Sequence, residues 1–255
     1  MPIPSEELDR IVRGEHRSPH GVLGAHPHAG GVTVRALKPL ADSVVVRVSK
    51  TGPKGKVTSR DFPLTHEHEG IWVGVLPLEE VPDYRLAVTY AGQEYVVDDP
   101  YRFLPSVGEL DLHLFNEGRH EELWRALGAR VHRYEGPFGP VTGTAFTVWA
   151  PHAQGLRVEG DFNSWDGREH PMRMLADSGV WELFVPGVGA GARYKFVILG
   201  ADGQWQERAD PMATYAEEPP ATSSVVWESS YEWNDEEWQR TRVRRQGLAE
   251  PMSIY

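Results

Sequence analysis

The sequence predicts an all-β protein of two tandem β-sandwiches with short linker helices, and three observations support this prediction. Glycine and proline number 26 and 20 among 255 residues, accompanied by 9 tryptophans, a mixture typical of short strands joined by tight turns. Sequence features recur at a separation of about 110 residues, which suits a duplicated domain and is too long for a solenoid repeat. Short β-branched runs recur in each copy without long helical patterns between them.

The internal repeat is collinear along the chain. Its matched features are Pro39 with Pro151, Gly70-Ile71-Trp72 with Gly179-Val180-Trp181, Tyr84-Arg85-Leu86 with Tyr194-Lys195-Phe196, and Asp99-Pro100 with Asp210-Pro211. The separations are 112, 109, 110 and 111 residues in that order, so the two copies differ only by small insertions.

Each copy contains four clear strand patterns. They cover Val32–Ala36, Val44–Val48, Trp72–Leu76 and Arg85–Tyr90 in the first copy, and Ala145–Trp149, Leu156–Glu159, Trp181–Val185 and Arg193–Leu199 in the second. Short strands at this spacing, with glycine and proline between them, favour an immunoglobulin-like sandwich over an α/β fold.

Helices are predicted only outside the strand patterns. Ser5 can cap an N-terminal helix that ends at Gly14. The amphipathic stretch His120–Arg130 predicts a linker helix, and Asn234, followed by acidic and then basic residues, begins a third. We therefore expect a first sandwich at residues 1–105, a linker with a helix at 106–135, a second sandwich at 136–230 and a C-terminal linker at 231–255.

Composition excludes several classes of function. The net charge of −11 without a long basic block argues against nucleic acid and anionic membranes as partners. The absence of cysteine excludes disulfides and cysteine-based zinc sites, and it fits a reducing compartment. No secretory signal core or long apolar span occurs, so we expect a cytoplasmic chain.

No residue pattern indicates catalysis, a metal or a cofactor. Asp161 and Asp166 flank Trp165, but turn capping accounts for carboxylates in such loops. Nucleophile-elbow, phosphate-loop and zinc-protease motifs are missing from the sequence. The clustered histidines stand among loop residues and are expected to be structural or solvated; they are His16, His20, His26, His28, His66 and His68.

A possible binding surface lies in the second copy. Residues 160–165 read GDFNSW, a tight loop that presents Trp165 among polar residues. Alternation along Arg193–Ile198 places Lys195 away from the apolar face. A two-residue turn at Asp202-Gly203 would direct Trp205 to the core. A three-residue loop with Gly203 left-handed would pair Trp205 with Leu199, on the same face as Lys195, and the polar neighbours Gly203 and Glu207 favour this register.

Two interpretations of these tryptophans remain open from the spacing alone. Trp165, Trp205 and Lys195 can form an exposed platform for a sugar chain, because pyranose rings have apolar faces that stack on indoles and hydroxyls that accept hydrogen bonds. Alternatively, both tryptophans close the ends of the sandwich.

The motifs GDFNSW, RYKF and DGQW, with the following Asp-Pro, resemble family 48 carbohydrate-binding modules, including the glycogen-binding module of the AMP-activated kinase β subunit. The resemblance implies that Trp165, Lys195 and Trp205 contact α-1,4-glucan or glycogen. It places a further polar contact near Thr222 and Ser224.

The remainder of the chain resembles the start of bacterial 1,4-α-glucan branching enzymes with a long N-terminus. The motifs that carry this resemblance are HRSPHGVLGAH at 16–26, GELDLHLFNEGRH at 108–120, YEG at 134–136 and PMSIY at 251–255. In such enzymes the last motif leads into a (β/α)₈ barrel that carries the catalytic carboxylates of a retaining transglycosylation. The resemblance therefore implies a non-catalytic, glucan-positioning fragment, cut at Tyr255, of an enzyme that converts α-1,4 linkages into α-1,6 branches.

Two other functions remain as alternatives, a purely architectural arm and a free-standing glycogen-binding module. The first copy is expected to be mainly structural, because Arg85 stands where the second copy has Lys195 and nothing corresponds to Trp205. Weak glucan contact is expected there only through Tyr95.

Overall fold

The structure is a computed structural model that describes residues 3–51, 57–135, 140–245 and 247. The helices are α1 Ser5–Val12, α2 Glu109–Asn116, α3 Leu123–Ala126 and α4 Glu236–Arg245. The strands of the first half are β1 Gly24–His28, β2 Gly31–Leu37, β3 Ser43–Thr51, β4 Val57–Pro63, β5 Thr65–His68, β6 Ile71–Leu76, β7 Tyr84–Tyr90 and β8 Gln93–Val97. Those of the second half are β9 Gly128–Tyr134, β10 Val141–Trp149, β11 Gly155–Gly160, β12 Arg173–Met174, β13 Val180–Pro186, β14 Arg193–Leu199, β15 Trp205–Arg208 and β16 Ser224–Val225.

The described strands form antiparallel sheets that pack in pairs. In the first half, β1-β2-β6-β5 packs on β4-β3-β7-β8. In the second, β12-β13-β10-β9 packs on β11-β14-β15, with β16 added beside β14. The predicted all-β class with two sandwiches is confirmed, and each predicted strand lies within an observed one. The short apolar and β-branched runs were sufficient to locate these strands, several of which, such as β2 and β13, are buried at nearly every position.

The sequence repeat corresponds to repeated hydrogen bonds. The indole of Trp72 donates to the Lys38 carbonyl at 3.2 Å, and that of Trp181 donates to the Ala150 carbonyl at 3.0 Å. Each bond joins a tryptophan near the start of one strand to the residue before the matched proline. The repeated sequence motifs therefore form the same local structure in both sandwiches.

The two sandwiches share a hydrophobic core. Leu8 and Ile11 of α1 pack in the same cluster as Phe146 and Trp181 of the second sandwich. Tyr101, which follows the first sandwich, belongs to this cluster, and its hydroxyl donates to the Pro171 carbonyl at 3.3 Å. Because these apolar contacts cross the boundary, the N-terminal segment helps to build the second sandwich.

The helix predicted at His120–Arg130 is wrong over most of its length. Only the single turn α3 is helical, and Gly128, with φ +91°, begins β9. A Cβ there would approach the Met212 carbonyl oxygen at 2.9 Å. β9 then pairs with β10 along its whole length, and these interstrand hydrogen bonds override a weak helical preference.

Of the other three helices, α1 and α4 lie where the sequence predicted a helix, and α2 was not predicted. Helix α1 occupies the predicted place, but Pro4 rather than Ser5 is its N-cap and no side chain caps it. Helix α4 is confirmed, with acidic residues in its first turn, whereas α2 was missed. The predicted start of a barrel at 251–255 lies outside the described residues.

Candidate functional site

The loop after β11 is held by one amide side chain. The Oδ1 of Asn163 accepts from the Gly160 N–H at 2.9 Å, and its Nδ2 donates to the Val158 carbonyl at 3.1 Å. The same amide lies 2.9 Å from Nδ1 of buried His170. Burial lowers the pKa of His170 to about 3, so the imidazole is neutral at pH 7 and can accept this hydrogen bond.

Trp165 is presented by an unusual backbone. Ser164 and Trp165 both adopt left-handed conformations, with φ of 54° and 59°, which cost energy for residues with a side chain. The Trp165 side chain is 36% exposed and hydrogen-bonds the Asp161 carboxylate. Asp161 also pairs with Arg193 at 2.8 Å, and these hydrogen bonds lower the pKa of its carboxyl. The indole is therefore held at the surface.

The β14–β15 hairpin has the register that places Trp205 on the Lys195 side of the sheet, where the residue is partly exposed. Trp205 pairs with Leu199, and Gly203 is left-handed with φ +75°. The Gly200 N–H donates to the Gln204 carbonyl at 3.0 Å, which closes a three-residue loop. The favoured alternative is thus confirmed: Trp205 lies on the side of the sheet that carries Lys195, and not on the core side.

Lys195 is placed in a polar row across the outer face. Its partner on β11 is Glu159, and its Nζ donates to the Glu207 carboxylate at 3.0 Å. Burial, and then repulsion from Glu207, raise the pKa of Glu159. An ammonium group has three donors, so Lys195 keeps donors for a ligand while Glu207 fixes its position.

Arg157 is a residue of this surface that sequence reasoning missed. Its guanidinium lies over the Trp205 ring, 4.3 Å from the centroid, and also donates to the Arg13 carbonyl. Burial lowers the pKa of Arg157, while Asp166 and Arg168, from the loop after Trp165, raise and lower it respectively. Alternation along β11 indicates that Arg157 faces outward, but only the tertiary structure shows that it covers one face of an indole.

These groups are spread along a surface. Lys195 and Leu199 are four residues apart on β14, so the lysine row and the Trp205 row are about 13 Å apart along the strands. Trp165 lies beyond Gly160, at the end of β11 that is far from Trp205. There the backbone N–H of Trp165 donates to the Gly160 carbonyl at 3.0 Å. An extended arrangement of this kind suits a chain ligand better than a single small molecule.

The last two predicted contact residues differ in accessibility. Thr222 is exposed. Ser224 is buried, with 1% of its surface exposed, and its hydroxyl accepts from the Asp210 N–H at 2.9 Å. Ser224 therefore stabilises the fold, and we remove it from the candidate contact residues.

The clustered histidines make contacts both near and far along the chain, and His68 contacts Asp9 of α1 at 2.7 Å. His16 contacts Glu7 at 3.3 Å, and His28 contacts Thr33 at 2.9 Å. Among the described residues, no group of three or more histidine, aspartate or glutamate side chains is arranged to hold a metal ion. No helix in the described part of the chain is long and apolar enough to cross a bilayer.

Comparison with known proteins assigns each sandwich to a family. Residues 4–101 match the family described as alpha-1,4-glucan branching enzyme GlgB, N-terminal domain, and residues 126–213 match carbohydrate-binding module 48 (isoamylase N-terminal domain). Among solved structures, the match with pullulanase type I from Bacillus subtilis covers 83% of this chain and 28% of the pullulanase, at 19% identity and with a TM-score of 0.35.

Curated relatives match the whole chain. The 1,4-alpha-glucan branching enzyme GlgB of Rhodococcus jostii is 51% identical over 98% of this chain, and that of Thermobifida fusca is 55% identical over 98%. The match covers 33% and 32% of those proteins, so the chain spans about a third of their length. The chain therefore belongs to the 1,4-alpha-glucan branching enzyme family and carries its N-terminal domain followed by a family 48 carbohydrate-binding module.

Proposed function

We propose that this chain binds α-1,4-glucan through the outer face of its second sandwich and positions the glucan for a branching reaction. The observation that carries the proposal is the hairpin register that places Trp205 on the same outward face of the sheet as Lys195. The whole protein would cleave α-1,4 linkages and transfer the freed chain into α-1,6 branches. This chain would contribute binding and no catalytic residue.

The chemistry of the surface suits a polysaccharide. Trp165 and the uncovered face of Trp205 can stack on the apolar faces of glucose rings, while Arg157 holds the other indole face. Lys195 can donate to sugar hydroxyls, and exposed Thr222 adds a further polar group. Binding at several separated contacts favours long glucan chains over short ones.

The first sandwich serves mainly as structural support under this proposal. We divide the chain into sandwiches at 1–105 and 136–230 with linkers at 106–135 and 231–255, and add β9 to the second sandwich because it pairs with β10. We also propose a cytoplasmic location, in keeping with a chain that has no cysteine.

The test is a titration of the chain with maltoheptaose, followed by calorimetry, together with migration in gels that contain glycogen. Trp205→Ala is expected to weaken binding about tenfold or more, the loss typical of an aromatic stacking contact with a base or sugar ring. Trp233→Ala is the matched control, because Trp233 is 74% exposed and lies outside both sandwiches.

The same measurements distinguish glucan binding from a purely architectural role of the chain. The core shared by the two sandwiches favours an architectural role as the second candidate. If neither glycogen nor maltoheptaose binds the unaltered chain, the binding proposal is wrong and the architectural role stands.

A further inference from the structure

A groove of about 720 Å³ runs between the two sandwiches. Val88, Tyr90 and Tyr95 line it from the first sandwich, and Phe162 and Ser164 line it from the second. Its volume lies within the range of small-molecule and cofactor sites. A smaller cavity of about 330 Å³ shares Tyr90, Phe162 and Ser164 with it and extends to the loop that presents Trp165. The groove therefore leads from the first sandwich to the proposed glucan surface.

Two tyrosines form the aromatic wall of the groove. Tyr90 ends β7 and Tyr95 lies on the edge strand β8, with ring centroids 6.3 Å apart and a tilt of 52°. Tyr95 pairs with Val88 and so points to the side of the sheet that carries the core, but it is 45% exposed. The Tyr95 ring thus lies on the core side of an edge strand and is open to the groove that it lines.

The base of the groove is lined by charged side chains that hydrogen-bond one another and Tyr90. Lys38 donates to the Glu169 carboxylate at 2.9 Å, and the Tyr90 hydroxyl also hydrogen-bonds Glu169. Burial, and then the charge of Glu169, raise the pKa of the Tyr90 phenol, so Tyr90 remains a neutral donor. This network joins the two sandwiches and holds Tyr90 in one orientation beside the more exposed Tyr95.

We propose that this groove is a second α-glucan subsite, in which Tyr95 and Tyr90 stack on glucose units of a chain that also occupies the Trp165 surface. Aromatic walls above a polar floor with charged acceptors and donors match the apolar faces and hydroxyl edges of pyranose rings. A continuous apolar occupant such as a helix face would leave the Lys38–Glu169 pair without compensating contacts. The inference rests on the proposed glucan binding, which it extends to the first sandwich.

The test compares short and long ligands with three variants. Maltotriose is expected to occupy either the groove or the surface around Trp165 and Trp205, whereas a long linear maltodextrin can occupy both at once. Tyr95→Ala is expected to weaken maltodextrin binding about three- to tenfold and to leave maltotriose binding at the Trp205 surface, the outer face that carries Trp205, unchanged. Tyr95→Phe, which keeps the ring, should retain most of the affinity. Val96→Ala is the matched control, since Val96 is 48% exposed on the opposite side of the same strand.

Aromatic NMR spectra separate this proposal from the first one. In the double variant Trp165→Ala/Trp205→Ala, maltodextrin should still shift the ring signals of Tyr90 and Tyr95. If the unaltered chain binds maltotriose and maltodextrin but these tyrosine signals do not move and Tyr95→Ala has no effect, the groove is not a subsite and the Trp205 surface stands alone. If no glucan of either length binds, both proposals are overturned.

Discussion

Tyr84 and Tyr194 occupy equivalent positions in the two sandwiches and make the same buried hydrogen bond. Tyr84 donates to Asp99 and Tyr194 donates to Asp210, each at 2.6 Å. Each carboxylate also accepts from a backbone N–H two residues later. Burial raises the pKa of both aspartates, although the tyrosine hydroxyls act in the opposite direction. These hydrogen bonds compensate part of the cost of burying a carboxylate.

Replacing either tyrosine with phenylalanine should therefore destabilise the protein. Tyr84→Phe and Tyr194→Phe are each expected to lower the free energy of unfolding by about 1–3 kcal/mol, since each leaves a buried carboxylate short of a donor. Urea unfolding measures the change. Tyr231→Phe, at a 67% exposed position, should have no effect, and an equal response of all three variants would contradict this account.

Buried His20 makes the stability of the protein depend on pH in the acid range. Burial, and then the charge of Arg173, lower its pKa to about 2, and neither ring nitrogen has a hydrogen-bond partner among the described residues. The unfolded state therefore takes up a proton below about pH 6.5 that the folded state excludes, so this residue reduces stability as the pH falls.

His20→Phe should remove that loss and keep the edge contact of the ring with Tyr101. The variant is expected to gain stability relative to the unaltered chain by up to about 1.4 kcal/mol for each pH unit below 6.5. Urea unfolding between pH 7 and pH 4.5 measures the difference, and other titrating groups cancel in it. A difference independent of pH would show that His20 takes up its proton at the same pH in the folded state as in the unfolded state, which would contradict this account.

At the scale of single elements, the β14–β15 hairpin decides whether the candidate site exists. Its three-residue loop requires a left-handed residue, and Gly203 supplies one without steric cost. A loop one residue shorter would turn Trp205 toward the core, because side chains alternate along a strand. The position of one glycine thus controls the exposure of an indole two residues away.

Gly203→Val should therefore affect stability and binding together. Left-handed strain is expected to lower the free energy of unfolding by about 1–2 kcal/mol, and a shift of register should weaken maltoheptaose binding as well. Chemical unfolding and calorimetry measure the two effects. Gly189→Ala is the control, since both glycines have open space around a Cβ but Gly189 is not left-handed. Unchanged stability in Gly203→Val would show that the loop does not need glycine.

At the scale of the whole molecule, the two sandwiches are joined by apolar packing and by ion pairs. Ile11, which is completely buried, belongs to the cluster that contains Phe146 and Tyr194. Lys38 of the first sandwich pairs with Glu169 of the second at 2.9 Å. Contacts of this kind make the sandwiches dependent on each other and fix the groove between them.

We expect the chain to unfold in a single cooperative transition. Ile11→Ala should lower stability by about 2–5 kcal/mol and reduce amide protection in both sandwiches. Leu86→Ala, in the core of the first sandwich only, should move the same calorimetric transition. Two separate transitions, of which Leu86→Ala shifts only one, would contradict this coupling.

The repeat, the strand patterns and the alternation around Lys195 were all readable from the sequence, because each depends on residues that are close along the chain. Two of the missed features, strand β9 and the burial of Ser224, depend on pairing between strands that are distant in the chain. Strand β9 lies at an edge, where pairing with β10 overrides a local helical pattern, and Ser224 resembles a surface residue until β16 buries it beside β14.

The sequence by itself therefore determined the sandwich class, the duplication, the family resemblance and the residues from which a glucan surface can be built. Only the tertiary structure decided that Trp205 faces outward under Arg157, that the N-terminal helix completes the second core, and that Tyr90 and Tyr95 face Ser164 across a groove. The physical reason is that side-chain alternation and turn chemistry are local, whereas burial and stacking depend on segments that lie far apart in the chain.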